Sequence, residues 1–158
     1  MPERSSLQKE IGQTRAFASP RQEAAIAVLR TADVLRHHFA SVLEPHGLTG
    51  QQFNVLRILR GARPDALPTM EIASRMIEKT PGITRLLDRL ERKGLVARQR
   101  GTSDRRRVYC TITDRGLRTL AHLDEPVATA DEMALTMLGD AEVARLIELL
   151  DAVRAGHA

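Results

Sequence analysis

Apolar residues recur along most of this chain at the three- and four-residue spacing of helices, and in one stretch the period falls to two. Residues 1–18 are polar and read as a flexible arm, with one short helical turn around Leu7 and Ile11. Ser19-Pro20-Arg21-Gln22 then offers a capping serine, a proline at the first helical position and a glutamine where a capping box takes one. The helix behind it is expected to reach about Leu43. Its stripe is Val28, Leu35, Phe39 and Val42, widened by Ile26 and Leu29, and Pro45 and Gly47 end it.

Thr49-Gly50-Gln51-Gln52 is a second capping box. Its helix carries Phe53, Leu56, Ile58 and Leu59 and stops at Gly61-Ala62-Arg63-Pro64. A short helix follows over Met70 to Met76, with Thr69 near its start and Ile72 and Met76 inward. Thr80-Pro81 reads as the opening of another, Thr80 to Lys93, in which Ile83, Leu86, Leu87 and Leu90 make one apolar face. Gly94 stops it. Leu95 to Arg100 and Val108 to Thr113 then alternate as two strands, joined by the turn-rich, basic loop Gly101 to Arg106. Thr113 or Asp114 caps a helix over 114–137 that carries Leu117, Leu120, Leu123, Val127 and Ala130, with Pro126 as a point of kinking. After Gly139-Asp140 a last helix aligns Val143, Leu146, Ile147, Leu150 and Val153.

Charge changes the picture more than composition does. The 158 residues suit one domain with an appendage, and the single Cys rules out a disulfide framework or a multi-Cys zinc site. No apolar run approaches the roughly 18 residues of a membrane span, and Met1 to Gly12 has no signal-peptide core, so a soluble cytoplasmic protein is the expectation. Between Arg75 and Arg118, however, thirteen Lys and Arg stand against five acids, a local charge of +8, while the remainder carries −4. A basic segment on a near-neutral body is what binding to phosphates needs.

That segment coincides with short helices followed by a basic hairpin, the plan of a winged helix-turn-helix. The fold class is therefore mainly α with a small β wing: a DNA-binding domain over 49–113, flanked by helical regions at 19–45 and 114–158. In the helix from Thr80, the small residues Thr80, Gly82 and Thr84 permit close approach to base edges in a major groove, and Arg85 and Arg89 reach phosphates or guanine. The hairpin arginines, Arg100, Arg105, Arg106 and Arg107, suit the negative potential of a minor groove. The C-terminal stripe from Val143 to Val153 needs a partner surface. A second copy of the chain supplies one, and packing of the flanking helices on each other is the intramolecular alternative.

Three segments resemble the MarR family of bacterial transcription regulators. They are Pro45-His46-Gly47-Leu48-Thr49 with Gln52-Phe53-Asn54-Val55-Leu56, then Ile83-Thr84-Arg85-Leu86-Leu87-Asp88-Arg89-Leu90-Glu91 with Gly94-Leu95-Val96, then Asp104-Arg105-Arg106 followed by Val108, Cys110, Ile112 and Thr113. The resemblance extends from about Ser19 to Val153. It implies a homodimer held by the terminal helices at 19–45 and 114–158, bound to a palindromic operator, usually as a repressor, and released by a small molecule, a metal or an oxidant. It also implies roles: Arg106 inserts into the minor groove, Asp104 orients the wing arginines through a charge-assisted hydrogen bond, and Arg85 and its neighbours read the major groove.

Other chemistry is weaker. Cys110 alternates onto the face of Val108 and Ile112, which favours a small buried core residue over a redox sensor. His37, His38 and His46 lie near Glu44, but adjacent histidines on a helix diverge by about 100° and no second His stands at i+4, so no metal site is assigned. His37 or His38 facing an effector cleft is the alternative. His122, Asp124 and Glu125 fall on a solvated helical surface without a nucleophile. No phosphate-cradling glycine loop, GxSxG or HExxH occurs, so neither an enzyme nor a cofactor is expected. The competing reading, a winged helix that docks on protein, would want an apolar recognition face where this chain has Thr, Gly and Arg.

Overall fold

The computed structural model describes residues 5–79, 81–101, 104 and 106–157. They divide into two compact units, Met1–His38 and Phe39–Ala158.

In the first unit, α1 (Ser6–Glu10) occupies the segment where a helical turn was expected. Ser5 Oγ accepts from the Gln8 N–H, Gln8 Oε1 accepts from the Ser5 N–H, and the buried Gln8 amide also donates to the Arg15 carbonyl at 2.9 Å. Arg30 holds α1 through Glu10 at 2.8 Å. The long helix α2 (Pro20–Leu43) begins and ends where the pattern puts it. Its cap differs in one bond. Ser19 Oγ takes the Gln22 N–H at 3.2 Å as expected, but Gln22 Oε1 reaches past Ser19 to the Ala18 N–H at 2.7 Å.

The second unit builds the hydrophobic core. After the end of α2, a 3-10 turn over Glu44–His46 closes at Gly47, whose φ of 68° is left-handed. Then come α3 (Gly50–Gly61), β1 (Leu67–Pro68), α4 (Thr69–Arg75), α5 (Ile83–Arg92), β2 (Val96–Arg100), β3 (Val108–Ile112), α6 (Asp114–Ala134) and α7 (Asp140–Ala155). The Thr49–Gln52 capping box of α3 forms with both of its bonds. Leu56 and Leu59 of α3, Ile72 of α4, Leu87 and Leu90 of α5, Val96 and Cys110 of the sheet, and Leu120 and Leu123 of α6 are all fully buried. At about 1.5–3 kcal/mol for each large side chain removed from water, this cluster dominates the stability of the unit. Arg60 ties α3 to α6 by placing one nitrogen 2.9 Å from each oxygen of Asp124.

Two local expectations are corrected. The hairpin is part of a three-stranded antiparallel sheet of order β1-β3-β2, with Leu67 opposite Cys110 and Pro68 opposite Tyr109. A two-residue strand that contains proline carries no alternation to read, and proline suits it only because it lies at the sheet edge. Second, α5 starts at Ile83 rather than at Thr80-Pro81. Gly82 precedes it at φ 94°, a left-handed conformation that interrupts the cap-then-proline pattern, so Pro81 stands outside the helix. Pro126 does not break α6, which runs through it to Ala134.

Candidate nucleic-acid interface

The interface grows from the amphipathicity of α5. Leu86, Leu87 and Leu90 are buried, which turns Thr84, Arg85, Arg89 and Arg92 outward beside the exposed Gly82. Thr80 and Arg105, both singled out in the sequence, lie outside the described residues. The exposed side chains of Arg85 and Arg89 make no ion pair or hydrogen bond among the described residues, so their guanidinium groups are available to a ligand.

Three contacts that periodicity does not reveal fix the helix. From β2, Arg98 places one nitrogen 2.6 Å from Asp88 Oδ1 and sends two others to Glu91 Oε2 at 2.9 and 2.6 Å. Its guanidinium is held above its ordinary value, first by the hydrogen bond to Glu91 and then by the charges of Glu91 and Asp88, against the opposing effect of burial. At the C-terminal end of α5, Lys93 donates to the Gly47 carbonyl and to Gln52 Oε1. Asn54 of α3 accepts the Ile77 N–H at 2.9 Å and so secures the segment between α4 and α5. An open groove lined by Gly47, Thr49, Gln52, Arg89, Arg92 and Lys93 lies along this edge. Asp88 and Glu91, spaced three apart and followed by Arg98 on the next strand, were the available signal for the first contact.

The wing is organised by Asp104. Its Oδ1 accepts the Arg106 N–H at 2.9 Å, its Oδ2 stands 3.7 Å from Arg107 Nε, and its carbonyl takes the Arg107 N–H at 3.1 Å. Gly101 then closes the loop onto the Arg107 carbonyl at 2.9 Å. A Cβ at Gly101 would come within 2.6 Å of the Asp104 carbonyl oxygen, so the turn admits no side chain there. Arg100, Asp104, Arg106 and Arg107 are all exposed. The Thr69 hydroxyl donates to the Val108 carbonyl at 3.2 Å, which links the start of α4 to the base of the wing.

The remaining candidates have surroundings of their own. Cys110 is buried opposite Arg98; burial pushes its thiol up, while the neighbouring Thr69 hydroxyl and the charge of Arg98 pull the other way. His37 Nδ1 lies 2.8 Å from the Asp33 carbonyl oxygen. Asp124 is engaged by Arg60, and His122 and Glu125 are exposed. Among the described residues no group of three His, Cys, Asp or Glu is placed to hold a metal, and no helix is long and apolar enough to cross a membrane.

A helix whose exposed face is small and cationic, set beside a basic β hairpin, defines a winged helix-turn-helix protein of the DNA-binding class. The MarR family profile matches residues 48–108. A MarR transcription factor from Planctomyces limnophilus, known from its crystal structure, is 39% identical, with a TM-score of 0.68 over 87% of this chain and 99% of that one. The regulator FarR of Neisseria gonorrhoeae is 29% identical over 125 residues, 79% of this chain and 84% of its own length. A cysteine-to-serine mutant of MarR from E. coli, crystallised with operator DNA, is 25% identical with a TM-score of 0.76, covering 94% of this chain and 99% of that one. This chain belongs to the MarR family of transcriptional regulators, which are not enzymes.

Proposed function

We propose that the protein is a homodimeric repressor, acting in the cytoplasm, that binds a pseudo-palindromic operator and is released from it by a small effector. The observation that carries this reading is the cationic face of α5, with Thr84, Arg85 and Arg89 outward, the two arginine side chains unpaired among the described residues, and Arg98 bound to Asp88 and Glu91 of the helix. In this reading α5 lies in a major groove. Gly82 and Thr84, with Thr80, let the helix approach the bases, while Arg85 and Arg89 reach guanine or phosphate. Arg106 enters the adjacent minor groove, with Arg100, Arg105 and Arg107 on the flanking phosphates and Asp104 holding the loop.

Dimerisation finds its support at the C-terminus. No residue of α7 is buried, and Ile147, Leu149 and Val153 are each at least half exposed. Together with Val143, Leu146 and Leu150 they offer a continuous apolar face for a second copy. Two recognition helices related by the dimer axis would meet half-sites about 34–36 Å apart.

The test is selection of preferred duplexes from a random-sequence pool by the wild-type protein, followed by anisotropy titrations over a salt series. The expected result is a palindromic preference, with affinity falling steeply as salt rises. Arg106→Ala should bind all duplexes more weakly and lower the salt slope by about one. Selection of no preferred sequence, or an Arg106→Ala variant with unchanged affinity and slope, would overturn the corresponding part of this reading.

A further inference from the structure

We infer that Arg98 is a positioning residue for DNA recognition: from β2 it draws Asp88 and Glu91 to the sheet side of α5 and so keeps Arg85 and Arg92 free of carboxylate partners. The inference rests on the reading of α5 as the helix that enters DNA. It concerns a residue that touches no base or phosphate in that arrangement.

Helix geometry makes such a device necessary. Asp88 follows Arg85 by three residues and precedes Arg92 by four, and both spacings bring side chains together on a helix surface. An unclaimed Asp88 would pair with one of them and withdraw it from the DNA. In the structure neither pairing occurs. Arg98 Nη1 stands 2.6 Å from Asp88 Oδ1, and Arg92 reaches only the Asp88 backbone carbonyl, at 3.4 Å. Glu91 has no basic residue three or four positions away on α5, and it is held by Arg98 alone among the described residues. Left unpaired, it would add a negative charge near the phosphates.

The choice of side chain fits the task. A guanidinium has donors along two edges and serves two carboxylates at once, whereas the ammonium of a lysine is a single point of charge. The Arg98 side chain is 23% exposed, while Asp88 and Glu91 are 40% exposed. Removal of the arginine therefore leaves two carboxylates that water can hydrate, and the fold is expected to survive it.

The experiment compares wild type, Arg98→Met and the triple variant Asp88→Asn/Glu91→Gln/Arg98→Met on the duplex that the wild-type protein selects, with a thermal melt of each. Arg98→Met should bind about tenfold more weakly, and its salt slope should fall by about one as an arginine is captured by Asp88. The triple variant should return to within about threefold of wild-type affinity, as no carboxylate is left to compete, without regaining the lost melting temperature. Recovery of binding without recovery of stability separates this role from a merely structural one. If Arg98→Met is unfolded, Arg98→Lys and its own triple variant carry the same comparison. A preferred duplex bound equally by wild type and Arg98→Met would overturn the inference, as would a triple variant no better than the single one. Absence of any preferred duplex would instead overturn the functional reading, and this inference with it.

Discussion

Cys110 shows how completely one residue's chemistry is set by its surroundings. The thiol is buried in the core and lies across the strand pair from Arg98, and burial dominates by pushing the thiol upward. A thiol raised in the folded state stabilises the protein fully below the range where an unfolded cysteine ionises. That contribution is lost as the pH climbs through the raised value. Stability of the wild type should therefore decline in alkaline solution more steeply than that of Cys110→Ala, as denaturant midpoints across that range would show. In mildly alkaline buffer a thiol reagent should label the native protein only as fast as it opens; rapid labelling would contradict the burial. Arg98 and Cys110 also show the limits of sequence at this scale. The strand alternation that put Cys110 inside is visible in Val108, Cys110 and Ile112. The partners of Arg98 are not, because they depend on which strand lies behind α5.

Among the elements, the junction of the wing with α6 is closely packed. The Thr113 hydroxyl donates to the Gly94 carbonyl at 2.7 Å and accepts the Gly116 N–H at 3.1 Å, so one side chain ends the hairpin and caps α6. A Cβ at Gly116 would stand 2.4 Å from the Leu95 carbonyl oxygen and 2.7 Å from Ile112 Cγ1. Gly116→Ala should cost at least about 2 kcal/mol in urea unfolding, because the displaced atoms are backbone and buried core that cannot yield. A neutral result would mean that α6 packs more loosely on the sheet than these distances imply. The helices were legible wherever a cap coincided with an apolar stripe, as at Thr49–Gln52 with Leu56 and Leu59. The start of α5 was misread because a left-handed glycine at 82 stands between a plausible cap and the helix. β1 went unseen since its two residues pair with a strand distant in sequence.

At the scale of the molecule, the proposed dimer can be tested at α7. Replacing both Ile147 and Val153 by Asp puts charge on a face that is solvated in a monomer and dry in a dimer. The expected outcome is a monomer in sedimentation, with the helical content kept and operator affinity sharply reduced; a variant that sediments like wild type would remove α7 from the interface. The edge strand β1 has a different consequence, in the order of assembly. The β2–β3 hairpin closes over a short loop, on a timescale of about 1–10 μs for such units. Leu67 and Pro68 can find Cys110 and Tyr109 only after α4 and α5 have folded back between them, and such distant pairings close late because loop entropy opposes them. The hairpin is thus born as a two-stranded ribbon and acquires its third strand last. The Leu67 amide, alone in β1 because Pro68 carries no N–H, should accordingly be the first of the sheet to exchange with solvent when the native state fluctuates.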